Sequence, residues 1–469
     1  MKGKSLNPRA RIFHKTRIRR REETEGCGLA AAPTPHVHGY SASAPASGSE
    51  TTRRIVLRLA LLGALVSSQL FAANDWPEFR GPTGQGTSTA KNVPIHWSAT
   101  SNVVWKTEIP GEGWSSPALV NGKIYLTTAV TDSTNTSLRA LCVDAKDGHV
   151  QWNVEIFRPD SEATQAMHKK NSLASPTPIV RDERVYVHFG HMGSAALDLS
   201  GKILWQQTTL KYSPMHGNGG SPALVGDALV FSCDGEADPF LAALEAKTGS
   251  VRWKTSRNST AARTFSFSTP LAIEVDGTTQ IISPASGFVA GYDPKTGREI
   301  WRVRYPEGFS VIPRPVFAHG LLFVSSSFMR PVVYAIKPAG AKGDATETHL
   351  VWKHEKGAPN TPSLLVAGDE LFFVSDSGIA TCLDARTGNP HWSERLGGGF
   401  SASPVLAEGH LYFQNEEGVG TVLKAGKTFE VLAKNDVGER TLASPAVADN
   451  ALFLRSQSHL WRIGSSPVQ

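Results

Sequence analysis

Short apolar runs come in pairs along this chain, each pair opened by a proline and separated by a polar turn. Ser116-Pro117-Ala-Leu-Val is followed by Lys123-Ile-Tyr-Leu, and Ser221-Pro222-Ala-Leu-Val by Ala228-Leu-Val-Phe. Thr177-Pro178, Thr269-Pro270, Arg314-Pro315, Thr361-Pro362, Ser403-Pro404 and Ser444-Pro445 open corresponding segments, which makes eight units. Proline suits the first residue of a strand, where its missing N–H breaks no ladder bond. The runs therefore predict strands.

A second pattern follows each pair. Glycine precedes tryptophan by four residues at Gly148 and Trp152, Gly201 and Trp205, Gly249 and Trp253, Gly297 and Trp301, and Gly388 and Trp392. Each glycine ends a turn opened by an acid, as in Glu245-Ala-Lys-Thr-Gly249, where the carboxylate accepts backbone N–H groups and glycine takes positive φ. Two residues before the acid stands Cys142, Ala196, Ala243, Gly291 or Cys382, small enough to let an indole lie over the strand. Cys142 and Cys382 thus read as packing residues, and Cys233 as a strand residue.

Four-stranded units of this kind cannot bury both faces alone and must stack radially. The expected fold is all-β: an eight-bladed β-propeller of four-stranded antiparallel blades spanning residues 102–466. The last unit supplies only three strands, while residues 102–109 carry an orphan Trp105, so the N-terminal strand is expected to complete the last blade and close the ring. Trp352 belongs to a unit whose turn is stretched through residues 338–349, and the seventh unit has only Phe429 nearby. Composition agrees with many short strands and tight turns, with 43 glycines and 29 prolines.

The formal charge of +6 is misleading. Residues 1–73 hold 12 of the 48 basic and 4 of the 42 acidic residues, leaving the remainder at a formal net charge of about −2. That balance argues against nucleic acid. Residues 53–73 read as an export signal, with Arg53, Arg54 and Arg58 ahead of the apolar stretch Leu59–Val66 and the small pair Ala72, Ala73. The pair Arg53-Arg54 also fits a twin-arginine signal, the alternative to an ordinary secretory one. Residues 1–52 read as a disordered or mis-started extension, and residues 74–101 as a lead-in. No stretch is long enough to span a membrane, and no cysteine stands at the cleavage site. A periplasmic or secreted monomer is expected.

The turn and tryptophan pattern resembles the tryptophan-docking repeat of PQQ-type propellers, across nearly all of residues 76–466. The opening Asp75-Trp76-Pro77-Glu78-Phe79-Arg80-Gly81-Pro82 is similar to the lead-in of bacterial PQQ-like repeat proteins. The resemblance implies a structural docking role for Trp105, Trp152, Trp205, Trp253, Trp301, Trp352 and Trp392. In this architecture, loops entering the innermost strands share a funnel mouth with loops between the second and third strands. His168, Lys170, Asn171, His216, Asn218, Arg263, Arg314 and Arg440 fall on entering loops, together with Lys169, Ser310 and Asn360. Their cationic character suits an anionic ligand, although such side chains also serve simply to solvate a rim. Asp234, Glu236 and Asp238 form either a solvated turn or a set of oxygen ligands for Ca²⁺.

Two functions remain open. The preferred one is a non-catalytic binding or scaffold protein of the cell envelope, contacting a protein, peptide or anionic envelope ligand at the mouth. The other is a PQQ- and Ca²⁺-dependent oxidoreductase acting on a small alcohol or sugar. The chain departs from that second pattern: it has no adjacent cysteine pair, no haem-attachment motif, and no catalytic Asp or metal ligands that can be matched residue by residue. No cofactor is implied by the repeat alone.

Overall fold

Where β-branched and aromatic residues alternate between Gly-containing turns, antiparallel strands form, and the computed structural model arranges them as eight sheets. It describes residues 75–464 apart from 134, 161–166 and 307. Residues 1–52 and residues 53–73, the segment expected to act as an export signal, lie outside these. Blades 1 to 7 occupy residues 118–157, 179–207, 223–256, 271–304, 316–354, 365–395 and 405–436. Blade 8 takes three strands from residues 446–464 and its outermost strand from Val103–Glu108, with Thr107 opposite Leu460 and Val103 opposite Ile463. Its innermost strand lies against those of both blade 7 and blade 1. The only helical turns among the described residues are Gly190–Met192 and Thr346–His349.

The outer rim is held by a repeated contact. Six indoles donate from Nε1 to a backbone carbonyl in a turn of the following blade: Trp105 to Ala145, Trp152 to Leu199, Trp205 to Ala246, Trp253 to Pro294, Trp352 to Ala385 and Trp392 to Gly426, all at 3.0–3.1 Å. The turn glycine is needed for two reasons. It adopts positive φ, and a Cβ on Gly249 would come within 2.5 Å of the Trp205 ring. Five of the six tryptophans also lie opposite a small residue of their own blade, as Trp152 does with Cys142 and Trp392 with Cys382, whereas Trp105 lies opposite Arg462. Both thiols are buried, which pushes them up to about 11 and about 12 respectively. They are packing atoms.

Two blades depart from this scheme, and a third differs in where its innermost strand begins. Trp301 donates to Gln280 Oε1 of its own blade and is fully buried. The reason is the stretched turn of blade 5, which folds back so that Gly343–Asp344 pairs in parallel with Trp301 and Arg302 at the outer edge of blade 4. In blade 7 Phe429 packs back on Trp392, and Trp97 of the lead-in covers Gly420 and stacks with Tyr412. Blade 6 is entered by Ser363-Leu364, two residues later than the Thr361-Pro362 opening suggests, because its innermost strand begins at Leu365.

The register of these entering residues creates a belt around the axis. The backbone N–H of Ser116 donates to Thr177 Oγ1, Thr177 to Ser221 Oγ, and Ser221 to Thr269 Oγ1. On the other side Arg314 donates to Ser363 Oγ, Ser363 to Ser403 Oγ, and Ser403 to Ser444 Oγ, all six bonds falling between 2.8 and 3.0 Å. Hydroxyl side chains ahead of the proline are therefore inter-blade clasps, each satisfying an N–H that the strand ladder leaves over.

Two outcomes follow for stability. Gly249→Ala is expected to lower unfolding free energy by about 2–4 kcal/mol, against about 1 kcal/mol or less for Gly226→Ala, whose site is open; chemical denaturation compares them. His188, on the second strand of blade 2, is 1% exposed and packs at a tilt against Phe231. Burial, then the neighbouring His191, pulls its imidazole down to about 3. Because the unfolded chain binds this proton near pH 6.5 and the folded one does not, stability is fully present above pH 6.5 and drains as pH falls toward 3. The slope approaches about 1.4 kcal/mol per pH unit. His188→Gln flattens that part of the stability profile.

Candidate functional site

The segment Trp76–Ser88 enters the ring from the face opposite the mouth. Trp76 exchanges backbone bonds with Leu119 on the innermost strand of blade 1, and Asp75 caps Asn121 in the adjoining turn. Pro77 O then accepts from Val180 of blade 2, Gln85 Oε1 from Phe317 of blade 5, and Thr87–Ser88 pairs in parallel with Leu406–Ala407 of blade 7. The chain thus crosses the axis and leaves again, forming a plug.

Charge holds it there. Arg314 stands at the belt position of blade 5, where the other blades carry a hydroxyl. Its Nη2 meets Glu78 Oε1 at 2.9 Å, Nη1 donates to Phe79 O and Nε to Pro270 O. Arg181 of blade 2 approaches the second Glu78 oxygen at 3.9 Å. Gly84 leaves room for the Arg314 guanidinium, since a Cβ there would come within 2.5 Å of Nη1. Arg314, expected at the funnel mouth, is instead 2% exposed and bound to the plug.

Above the plug lies a cavity of about 470 Å³ with Phe79 among its lining residues. All eight entering segments contribute to its wall, and the hydroxyls of Ser116, Thr177, Ser221, Thr269, Ser363, Ser403 and Ser444 belong to it. Of the residues placed at the mouth by sequence, His168, Lys170, Asn171, His216 and Arg263 line this cavity, as do Ser310 and Asn360. Asn218 is directed elsewhere and accepts from Tyr212 OH at 2.8 Å. Arg440 lies over Trp114, itself a lining residue, 5.6 Å from the ring centre.

The aromatic character of the site is not evident from its cations. His168, His216, Phe265, Phe309 and Phe328 form a continuous arc in which each ring meets the next edge to face, with centroids 5.4–5.7 Å apart. Such pairs gain beyond their buried area from quadrupole alignment. Four of the rings come from successive entering loops, and Phe328, half exposed, comes from the second-to-third strand loop of blade 5. One sequence signal could have found part of the arc: His216, Phe265 and Phe309 stand four or five residues ahead of the belt position.

Acids at the mouth are already engaged. Asp376 Oδ2 accepts from the backbone of Asn360 and Thr361, and its Oδ1 from Thr361 Oγ1. Glu416 pairs with Lys170 at 2.6 Å across the mouth. Burial opposes its ionisation, but Lys170 and Ser401 outweigh that and hold the carboxyl below its ordinary range. His168 is drawn below the usual imidazole value by burial, then by His216, Lys170 and Lys169, so it is neutral at neutral pH. Arg263 is exposed, lies 4.8 Å over Phe309, and has no carboxylate partner among the described residues. Asp234 is spent elsewhere, with both oxygens on Arg257 at 2.9 and 3.0 Å. Among the described residues no group of three His, Cys, Asp or Glu is arranged to hold a metal ion.

Eight four-stranded blades and an axial pocket define a β-propeller of PQQ-like repeats. The family described as outer membrane protein assembly factor BamB matches residues 87–233, 142–282, 214–394 and 341–460, most of the chain, and the chain belongs to that family. The BamB of Burkholderia pseudomallei is 24% identical over 391 residues, covering 79% of this chain and 91% of its own. Among solved structures, BamB from Moraxella catarrhalis superposes with a TM-score of 0.55 at 14% identity, covering 78% of this chain and 98% of its own. The quinohemoprotein alcohol dehydrogenase of Comamonas testosteroni gives 0.51 at 12% identity, covering 84% and 82%. At these identities the structural likeness is one of fold.

Arg314→Met is expected to cost about 3–5 kcal/mol by leaving Glu78 buried without its main partner. The double variant Arg314→Met/Glu78→Met recovers most of that loss; urea denaturation of the three proteins measures both.

Proposed function

We propose that this chain is an exported, monomeric envelope protein that binds a partner protein at the aromatic, cationic mouth and performs no chemistry there. In this reading residues 53–73 direct export to the periplasm or medium, residues 76–97 floor and brace the ring, and the blades present the mouth. Membership of the BamB family supports a protein partner in the cell envelope. No helix among the described residues is long and apolar enough to cross a membrane.

The observation that carries the reading is the division of labour inside the mouth. The rings of His168, His216, Phe309 and Phe328 and the guanidinium of Arg263 are available to a ligand, whereas the carboxylates there are consumed by backbone, hydroxyl and lysine donors. A surface of that kind suits an apolar segment bearing a carboxylate, with Arg263 as the anionic contact and the arc as the apolar one. The donor set does not fit Ca²⁺, which takes six to eight oxygen ligands including free carboxylates. Asp376, the acid lining the cavity, has its oxygens on three protein donors and is a poor base for alcohol oxidation.

Replacing His168, Lys170 and Arg263 together by Ala is expected to reduce capture of a partner from envelope extract by at least about tenfold, with the thermal midpoint little changed. Unchanged capture would move the binding surface off the mouth. Titration of the purified protein with PQQ and Ca²⁺, followed by absorbance and dye reduction with alcohols and aldoses, tests the rival; turnover would replace the binding reading with an oxidoreductase.

A further inference from the structure

The mouth cavity is lined by hydrogen-bond donors that the protein itself does not use. In the belt, the oxygens of Thr177, Ser221, Thr269 and Ser444 each accept a backbone N–H from the preceding blade, which occupies one lone pair and leaves the O–H without an acceptor among the described residues. Ser116 goes further. The belt does not close between blades 8 and 1, so Ser116 Oγ makes no hydrogen bond among the described residues, although Ser116 is only 2% exposed. All of these hydroxyls line the cavity. Buried hydroxyls demand partners, so their acceptors come from whatever fills it.

We infer that the cavity seats the carboxyl-terminal end of a partner chain, its carboxylate taken by the belt hydroxyls and its last apolar side chain by the aromatic arc. The inference rests on the binding reading above and names the part of the partner that enters. Because Trp76–Ser88 crosses the axis beneath the cavity, a partner chain cannot thread the ring, and only an end or a tight loop can enter. The donors decide between these. An amino-terminal ammonium brings three N–H groups, but Asp376 is spent on blade 6 and Glu416 on Lys170. Asn360 Oδ1, buried and without a partner, is a single acceptor and cannot satisfy them. An internal loop carries N–H groups as well as carbonyls, and most of its N–H groups would go unmet against a wall of donors. A terminal carboxylate is acceptor-only, with about four lone-pair sites, and matches the belt. Asn360 Oδ1 then serves the last peptide N–H, and Arg263 draws the negative end inward from the rim.

The probes are N-acetylated tetrapeptides Gly-Ser-Gly-X, with X as Ala, Val, Leu, Phe or Trp, each prepared as the free acid and as the terminal amide and titrated calorimetrically into the purified protein. The acids ending in Leu, Phe or Trp are expected to bind at least about tenfold more tightly than their amides. Ser116→Ala is expected to weaken the acids about fivefold or more and to leave the amides alone. Its thermal midpoint should be little changed, since Ser116 Oγ clasps no other blade. Crystals soaked with the preferred acid are expected to place its carboxylate within hydrogen-bonding reach of Ser116 Oγ. Equal binding of acid and amide at every X, no binding by any of them, or a carboxylate seated away from the belt would each overturn the inference. Partner capture by the His168, Lys170 and Arg263 variant separates the two readings: if capture is still lost, the mouth remains the binding surface and only the chain-end assignment fails, whereas unchanged capture removes both.

Discussion

An indole N–H at the rim of one blade finds its acceptor only if the next blade offers a bare glycine for the ring to lie on and a turn carbonyl within reach. This requirement couples six of the eight blades to their successors. It sets the spacing of acid, glycine and tryptophan in the chain, because the same turn must receive the preceding indole and launch the strand that carries its own. Blade 4 illustrates the dependence. Its successor has a stretched turn, and Trp301 is redirected to Gln280 while the extra residues seal the outer edge.

At the inner end of the blades a different bond does the corresponding work. Hydroxyl side chains at the entrance to six of the eight innermost strands accept the backbone N–H of the preceding blade. The belt they form fixes the radius at which the mouth residues stand. One hydroxyl is replaced by Arg314, and this single change of side chain turns the belt into an attachment point for the lead-in. Pocket, floor and brace are thus consequences of how one position in eight is filled.

Much of the ring was legible in the residues. Five glycine and tryptophan pairs at constant offset, with a small residue opposite each indole, leave few alternatives to radial stacking, and the unmatched Trp105 pointed to the strand that pairs with His459–Gly464. The plug was not legible, because Glu78, Arg80 and Arg314 are separated by hundreds of residues or sit in a segment with no strand periodicity. Arg314 looked like a mouth cation because its neighbours in sequence are; only the direction of the side chain, inward to a carboxylate, distinguishes it. The aromatic arc was hidden for a related reason, since single rings on separate loops carry no common pattern until the blades bring them side by side.

The lead-in has a kinetic consequence. The earliest described residues are bonded to some of the last: Ser88 Oγ donates to Val447 O across 359 positions, and Arg80 reaches Leu364 across 284. Contacts of such sequence separation form late, after the entropy of closing very long loops has been met. During synthesis Trp76 meets Leu119 of blade 1 early, but Thr87–Ser88 and Val103–Glu108 wait for their partners until nearly the whole wheel has been made. Assembly therefore finishes at the hub and at blade 8 together, and a truncated chain is left with an unfilled axle.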